Sequence, residues 1–313
     1  MISINETPNK IVTGAMIRLA RPRHWIKNVV VFIPVVFGMR LGDGAAMSRA
    51  VMAAIAFCLA SSFSYIINDL KDRRQDLAHP LKKDRPLACG QVSVRAAWVM
   101  AVVLGVAALG IAGSLSILVF SIVAAFMVLQ MLYTFVFKEK ALIDVICIAL
   151  GFVLRGLCGV VAIRGEISPW LFICMFTLCL FMGFCKRYNE MVTISDRTEA
   201  RAHRRTLIAY TPELLTHLVT LSAGIAVVGF LLYSLSESTI TRFGTIYFVY
   251  TLPVVIYGIF RFAMLSMRGV YADPTDIILR DRPFQLNMIV WVGAAVSIIS
   301  YGQELGNWLG GLY

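Results

Sequence analysis

Asn68, Asp69, Asp72 and Asp76 follow directly on an apolar run of about twenty residues. On a helix, Asp69, Asp72 and Asp76 at i, i+3 and i+7 share one face, with Asn68 one turn before Asp72. Three carboxylates on one face repel each other unless a cation sits among them. Oxygen-only ligands favour a hard ion, and Mg²⁺ is usually held by a few carboxylates completed by substrate phosphates. The spacing therefore points to Mg²⁺-assisted chemistry on a diphosphate at a membrane surface. Asp69, Asp72 and Asp76 are the catalytic candidates, and Asn68 joins them as a metal ligand. The plainer alternative is a solvated acidic turn.

Downstream runs His79-Pro80-Leu81-Lys82-Lys83-Asp84-Arg85-Pro86-Leu87-Ala88-Cys89-Gly90, which the two prolines and the glycine punctuate as a loop. Lys83 and Arg85 can fold back over the acidic face and bind phosphate oxygens that a metal leaves free. The competing reading is a basic loop anchored to lipid headgroups. His79 and, further on, His203 read as loop histidines rather than bases.

The elements that must position these groups are membrane helices. The chain is 59% hydrophobic and 15% charged, with a mean hydropathy of +0.78, which excludes an ordinary soluble domain. Nine apolar stretches approach spanning length: 28–41, 47–67, 93–112, 115–137, 141–163, 169–185, 213–236, 243–267 and 286–303. The expected class is all-α and polytopic. Residues 1–24 form an N-terminal interfacial segment, with Ile11 to Leu19 as a short amphipathic helix. Residues 25–313 form a single nine-helix domain with cytoplasmic loops at 69–92 and 186–212. With the N-terminus inside, alternate connections carry 24 Lys and Arg on one side against four on the other. That bias predicts N-in, C-out, with the acidic face cytoplasmic. The net charge of +11 then reflects topology and anionic lipid or substrate, and no nucleic acid is implied. The seven cysteines show no metal-binding spacing and read as packing residues.

Asn68-Asp69-x-x-Asp72-x-x-x-Asp76 followed by Arg85-Pro86-Leu87-x-x-Gly90 resembles the first aspartate-rich motif of the UbiA-type membrane prenyltransferase superfamily. The resemblance implies nine transmembrane helices around a central cavity that opens toward the cytoplasm and the membrane. It also sets up a departure. Typical aromatic prenyltransferases of the superfamily carry a second Asp-x-x-x-Asp cluster after the sixth helix. Here the stretch reads Lys186-Arg187-Tyr188-Asn189-Glu190, then Ser195-Asp196, then His203-Arg204-Arg205. Glu190 is the acid one turn from Lys186, and a lobe this cationic suits a further phosphate better than a second Mg²⁺.

That combination resembles the decaprenyl-phosphate phosphoribosyltransferase branch. The likeness lies in Arg21-Pro22-x-x-Trp25-x-Lys27-Asn28, in Asp144 with Gly151 to Arg155, and in Lys186-Arg187-Tyr188-x-Glu190. It implies phosphoribosyl diphosphate and a polyprenyl phosphate as substrates, and a lipid-linked phosphoribose plus pyrophosphate as products, a step toward pentose donors for cell-envelope polysaccharide. The residues agree. One acidic lobe serves the diphosphate, and Lys27, Lys83, Arg85, Arg155, Lys186, Arg187 and Arg204 are available for the other anions.

Asp144 and Arg155, eleven residues apart, lie on one side of a helix. A charge near a span's centre costs about 2.5–3.5 kcal/mol on insertion scales, so Arg155 must meet a ligand or a structural partner. Asp144 could hold a ribose hydroxyl, cap its helix or pair with Lys140. Arg21, Arg23 and Lys27 around Trp25 could equally anchor the chain at the interface. Two other functions stay open. One is prenylation of an aromatic acceptor; the other is a transporter or channel without catalysis.

Overall fold

A computed structural model describes residues 8–78, 82–193, 205–271 and 274–310. No strand occurs among the described residues. Among the described residues twelve α-helices follow one another: α1 (Pro8–Ala20), α2 (Ile33–Phe37), α3 (Gly44–Ala78), α4 (Val94–Leu115), α5 (Ile117–Leu132), α6 (Ile143–Ala162), α7 (Pro169–Thr193), α8 (Pro212–Leu235), α9 (Glu237–Phe243), α10 (Leu252–Met267), α11 (Pro274–Arg280) and α12 (Arg282–Gly310). Eight helices among the described residues are long and apolar enough to cross a membrane.

The expected stretch 28–41 is not among those eight. Pro22–Phe32 is a 3₁₀ helix that leads into the five residues of α2. Arg21 turns the chain through the left-handed region (φ 54°) before Pro22, and Met39 (φ 55°) ends the segment. Because a 3₁₀ helix rises about 2.0 Å per residue, the contour from Pro22 to Phe37 still comes to about 30 Å.

The expected connections are also shorter than drawn. Residues 69–78 continue α3, since no breaker precedes Pro80, and residues 186–193 continue α7. At 35 residues, α3 is about 52 Å long against a hydrocarbon core of about 30 Å. Its final turns therefore extend beyond the apolar stretch and carry the acidic residues.

The described residues form two compact units. The first comprises residues up to Val35, Arg40–Val136 and Leu154–Gly165. Its centre is the small-residue side of α3, where Ala50, Ala53, Ala56, Phe57, Ala60 and Ser61 are buried. Small side chains let neighbouring backbones approach closely, which is how helices gain contact where water gives no drive to associate. Gly159 of α6 is the tightest case, since a Cβ there would stand 2.1 Å from the Val31 carbonyl oxygen. Ala15 and Leu19 of α1 pack with Ile66, Ile67, Leu87 and Val92. Ser116 alone separates α4 from α5. Its extended backbone breaks the run, and its hydroxyl caps α5 by accepting from the Val119 N–H at 3.1 Å.

The second unit comprises Val36–Met39, Phe137–Val153 and the chain from Glu166 onward. One core gathers Val145, Phe181, Phe184, Leu215, Phe262 and Phe284. Another sets Phe248 among Phe37, Phe230, Tyr233 and Phe243 with edge-on and tilted rings. Thr211 caps α8 ahead of Pro212, accepting from the Leu214 N–H at 3.2 Å. The cysteines are free thiols, as their spacing suggests.

Candidate active site

The first polar cluster lies on the last turns of α3. Asp69 and Asp76 are buried, at 2% and 3% exposure, while Asn68 and Asp72 are half-buried. Arg85 reaches back from the turn after α3. Its Nη1 lies 3.2 Å from Asp69 Oδ1 and 2.7 Å from Asp76 Oδ2, so a single nitrogen touches both carboxylates. Arg21 Nη2 lies 2.5 Å from the same Asp69 oxygen, with its guanidinium 5.1 Å from the Tyr65 ring centroid. Two buried carboxylates are thus balanced by two guanidinium groups. Lys83, by contrast, is exposed. Arg21 is a contributor that sequence reasoning left as an interface anchor. Its left-handed turn before Pro22 aims it at α3, and no spacing rule reveals that.

Among the described residues, no group of three or more His, Cys, Asp or Glu is arranged to hold a metal ion unaided. Mg²⁺ does not require one, since it is commonly bound through one or two carboxylates, waters and substrate phosphates. Asp69 and Asp76 converge on one cationic nitrogen, with Asp72 and Asn68 on adjoining turns. That donor set fits a substrate-completed Mg²⁺ rather than a cage built of protein alone.

Arg155 lies in the same unit, buried at 6% exposure. Its Nε donates to Asn28 Oδ1 at 2.7 Å and its Nη2 to Ser61 Oγ at 3.3 Å. The guanidinium carbon sits 4.6 Å from the Phe126 ring centroid and 5.8 Å from that of Phe57. Asn28 in turn donates to Cys58 Sγ at 3.2 Å. Arg155 and Asn28 therefore hold each other, and hydrogen bonds and ring faces compensate the buried charge. Lys27 is half-buried beside them. Trp25 does more than float at an interface, because its Nε1 donates to Ser62 Oγ at 3.0 Å and that hydroxyl donates to the Ala20 carbonyl at 2.8 Å.

A second cluster belongs to the other unit. Asp144, on the first turn of α6, is fully buried. Arg187 on α7, also buried, places Nε 3.4 Å from Asp144 Oδ2 and pairs through Nη1 with Glu190 one turn on. Glu190 thus meets Arg187 in addition to its expected proximity to Lys186. Tyr210 donates its hydroxyl to Asp144 Oδ1 at 3.4 Å and accepts from the Leu142 N–H at 2.7 Å. Burial pushes the Tyr210 phenol above its usual range, which keeps it protonated as a donor. Leu142 sits in the left-handed region (φ 66°), and the tyrosine hydroxyl satisfies its N–H. Lys186 and Tyr188 are half-buried, Tyr188 against the apolar core. Arg204 lies outside the described residues. Tyr210 is the group sequence reasoning left without a role. Its place in the Tyr210-Thr211-Pro212 entry to α8 was visible, but its reach to Asp144 was not.

Comparison with known proteins places these clusters in context. The UbiA prenyltransferase family matches residues 31–277. A protein named decaprenyl-phosphate phosphoribosyltransferase in Mycobacterium tuberculosis is 32% identical over 303 residues, covering 96% of this chain and 98% of its own. The protein of the same name in Mycolicibacterium smegmatis is 33% identical over 305 residues, covering 94% and 95%. Among solved structures, a UbiA homolog from Archaeoglobus fulgidus bound to GPP and Mg²⁺ superposes with a TM-score of 0.68 at 21% identity, over 91% of this chain and 99% of that one.

Proposed function

This chain belongs to the UbiA prenyltransferase family, and from that premise we propose that it transfers 5-phosphoribosyl from phosphoribosyl diphosphate to a polyprenyl phosphate. Mg²⁺ assists and pyrophosphate leaves. The observation that carries this reading is the acidic face of α3, where buried Asp69 and Asp76 are held by Arg85 and Arg21, an arrangement suited to a diphosphate that completes a Mg²⁺ site. Near-full-length likeness to proteins named as phosphoribosyltransferases points the same way.

In this reading Asp69 and Asp76 would hold Mg²⁺ with Asp72 and Asn68, and the bound ion would supply neutralisation of the charge on the leaving diphosphate. Arg85 and Arg21 pass from the carboxylates to phosphate oxygens, a transfer that guanidinium groups suit because they bind both in the same planar geometry. Lys83 and Lys27 add cations for the anionic substrates. Lys186, Arg187 and Arg204 serve the 5-phosphate or the lipid phosphate, with Tyr188 and Glu190 setting their positions. The acceptor is already an anion, so no base is needed to generate the nucleophile. One of its phosphate oxygens attacks ribose C1, the C1–O bond to the diphosphate breaks, and the electron pair leaves on pyrophosphate. Asp144 and Arg155 orient neighbouring groups. The protein sits in the cell membrane with its N-terminus inside and the acidic face toward the cytoplasm, a reading supported by the 24-to-4 distribution of Lys and Arg over nine apolar stretches. Its product would feed pentose donors for cell-envelope polysaccharide.

The test uses purified protein in detergent with Mg²⁺, polyprenyl phosphate and radiolabelled phosphoribosyl diphosphate, with label followed into the organic phase. The expected result is metal-dependent label in lipid that falls at least 100-fold in Asp72→Ala. Transfer instead from a prenyl diphosphate to an aromatic acid would assign the chain to the conventional prenyltransferases. Absence of pyrophosphate release with every donor would favour the transporter reading.

A further inference from the structure

The last turns of α3 have a second face. At about 100° per residue, Leu70, Lys71 and Arg74 lie nearly half a turn around the helix from Asp69, Asp72 and Asp76. They open onto a cleft of about 730 Å³ whose far walls are Val94 and Trp98 of α4 and Phe135, in the π turn that ends α5. Three cations, Lys71, Arg73 and Arg74, line this cleft, and its lining holds no carboxylate. Lys71 donates to the Thr134 carbonyl and stands 5.0 Å from the Phe135 ring centroid, and Arg73 Nε donates to the Leu87 carbonyl at 3.2 Å. These contacts hold both stems in place. The apolar walls are open, with Trp98 50% and Phe135 55% exposed.

A cationic rim above an aromatic and aliphatic wall, at the end of membrane helices, selects an amphiphile with an anionic head. We propose that this cleft is a lateral binding site for an anionic phospholipid. The headgroup phosphate lies against Arg73 and Arg74, and an acyl chain lies along Val94 and Trp98. The occupant is a membrane lipid and not the reacting acceptor, because Leu70, Lys71 and Arg74 face away from the carboxylates across α3, with Arg73 alone at the flank between the two faces. The cleft is thus a place where membrane charge touches the helix that carries the acidic cluster, without entering the reaction.

The test is native mass spectrometry of the protein in neutral detergent, titrated with phosphatidylglycerol or with phosphatidylcholine of identical acyl chains. The expected result is one tight phosphatidylglycerol, held at least tenfold more strongly than phosphatidylcholine. Arg74→Gln should weaken it about fivefold, and the double variant with Arg73→Gln more than tenfold. Arg73 also holds the turn through Leu87, so the exposed Arg74 supplies the variant that leaves the fold untouched. Equal binding of the two lipids, or phosphatidylglycerol affinity unchanged in Arg74→Gln, would overturn the proposal. Stoichiometric displacement of phosphatidylglycerol by polyprenyl phosphate, with the same dependence on Arg74, would reassign the cleft to the substrate.

Discussion

At the scale of single residues, the two clusters solve the same problem in different ways. Buried charge is tolerated only with a partner, and Asp69 and Asp76 share a guanidinium nitrogen that another cation could replace. Asp144 is instead fixed from two sides, by Arg187 and by Tyr210. Tyr210→Phe removes a donor from Asp144 and leaves the Leu142 N–H without its acceptor, so it should cost about 1–3 kcal/mol, read as a lowered melting temperature in detergent. A variant as stable as wild type would show that this network does not brace α6. Asp281, between α11 and α12, gives a pH signature. It receives Arg261 Nε and Nη2 at 2.6 and 2.8 Å, and that hydrogen-bonded pair holds its carboxyl below the usual carboxylate range. Its stabilising effect is complete above the ordinary aspartate pKa of about 3.9 and disappears as pH falls through the lower folded value. Asp281→Asn should therefore lose less stability than wild type between neutral pH and about pH 3, in melting experiments across that range. The acidic face and Arg85 were legible because i, i+3, i+7 spacing and proximity in sequence are local facts. Arg21, Tyr210 and the Arg155–Asn28 pair were not, because they bridge 48, 66 and 127 positions and depend on how helices pack.

Among the elements, hydropathy located the long helices well. Eight of the nine apolar stretches correspond to helices of spanning length, since an apolar run of that size has few other ways to satisfy its backbone. The ninth took a different shape. Pro22, the left-handed turn at Arg21 and the tight approach of Gly159 to Val31 shape the segment before α3, and hydropathy registers none of them. Gly159→Ala makes this contact testable. A methyl 2.1 Å from a carbonyl oxygen forces backbone apart and should destabilise the first unit by about 3 kcal/mol or more, seen as early unfolding or loss of monodisperse protein in detergent. Wild-type stability in that variant would mean that α6 and the 3₁₀ segment do not meet there. Helices α3 and α7 run on past the apolar stretches into residues expected in the loops 69–92 and 186–212, as the helical spacing of the acidic face implies for α3. Lys, Arg, Gln and Asp can continue a helix until a proline stops it, so the acidic face lies on a regular scaffold rather than on a turn.

For the whole molecule, the prediction concerns sidedness. Cys89 is an exposed thiol in the turn that carries Arg85, whereas Cys147, Cys158 and Cys185 are buried. With the acidic face cytoplasmic, a membrane-impermeant maleimide should label Cys89 in inside-out vesicles and spare it in intact cells, with Cys89→Ser as the control. Labelling from the outside would reverse the orientation and place the acidic face beyond reach of a cytoplasmic sugar donor.

The length of α3 carries one more consequence. No glycine or proline interrupts it between Gly44 and Ala78, so the stripe packed within the membrane and the carboxylates beyond it belong to one stiff rod. The height at which Asp69, Asp72 and Asp76 stand above the hydrocarbon is therefore geared to membrane thickness. A thicker bilayer draws them down among the headgroups and a thinner one lifts them into water, at a cost of fractions of a kcal/mol per Å that a rigid rod cannot relieve by bending. The acyl-chain length of the surrounding lipid thus becomes a setting on where the acidic face stands.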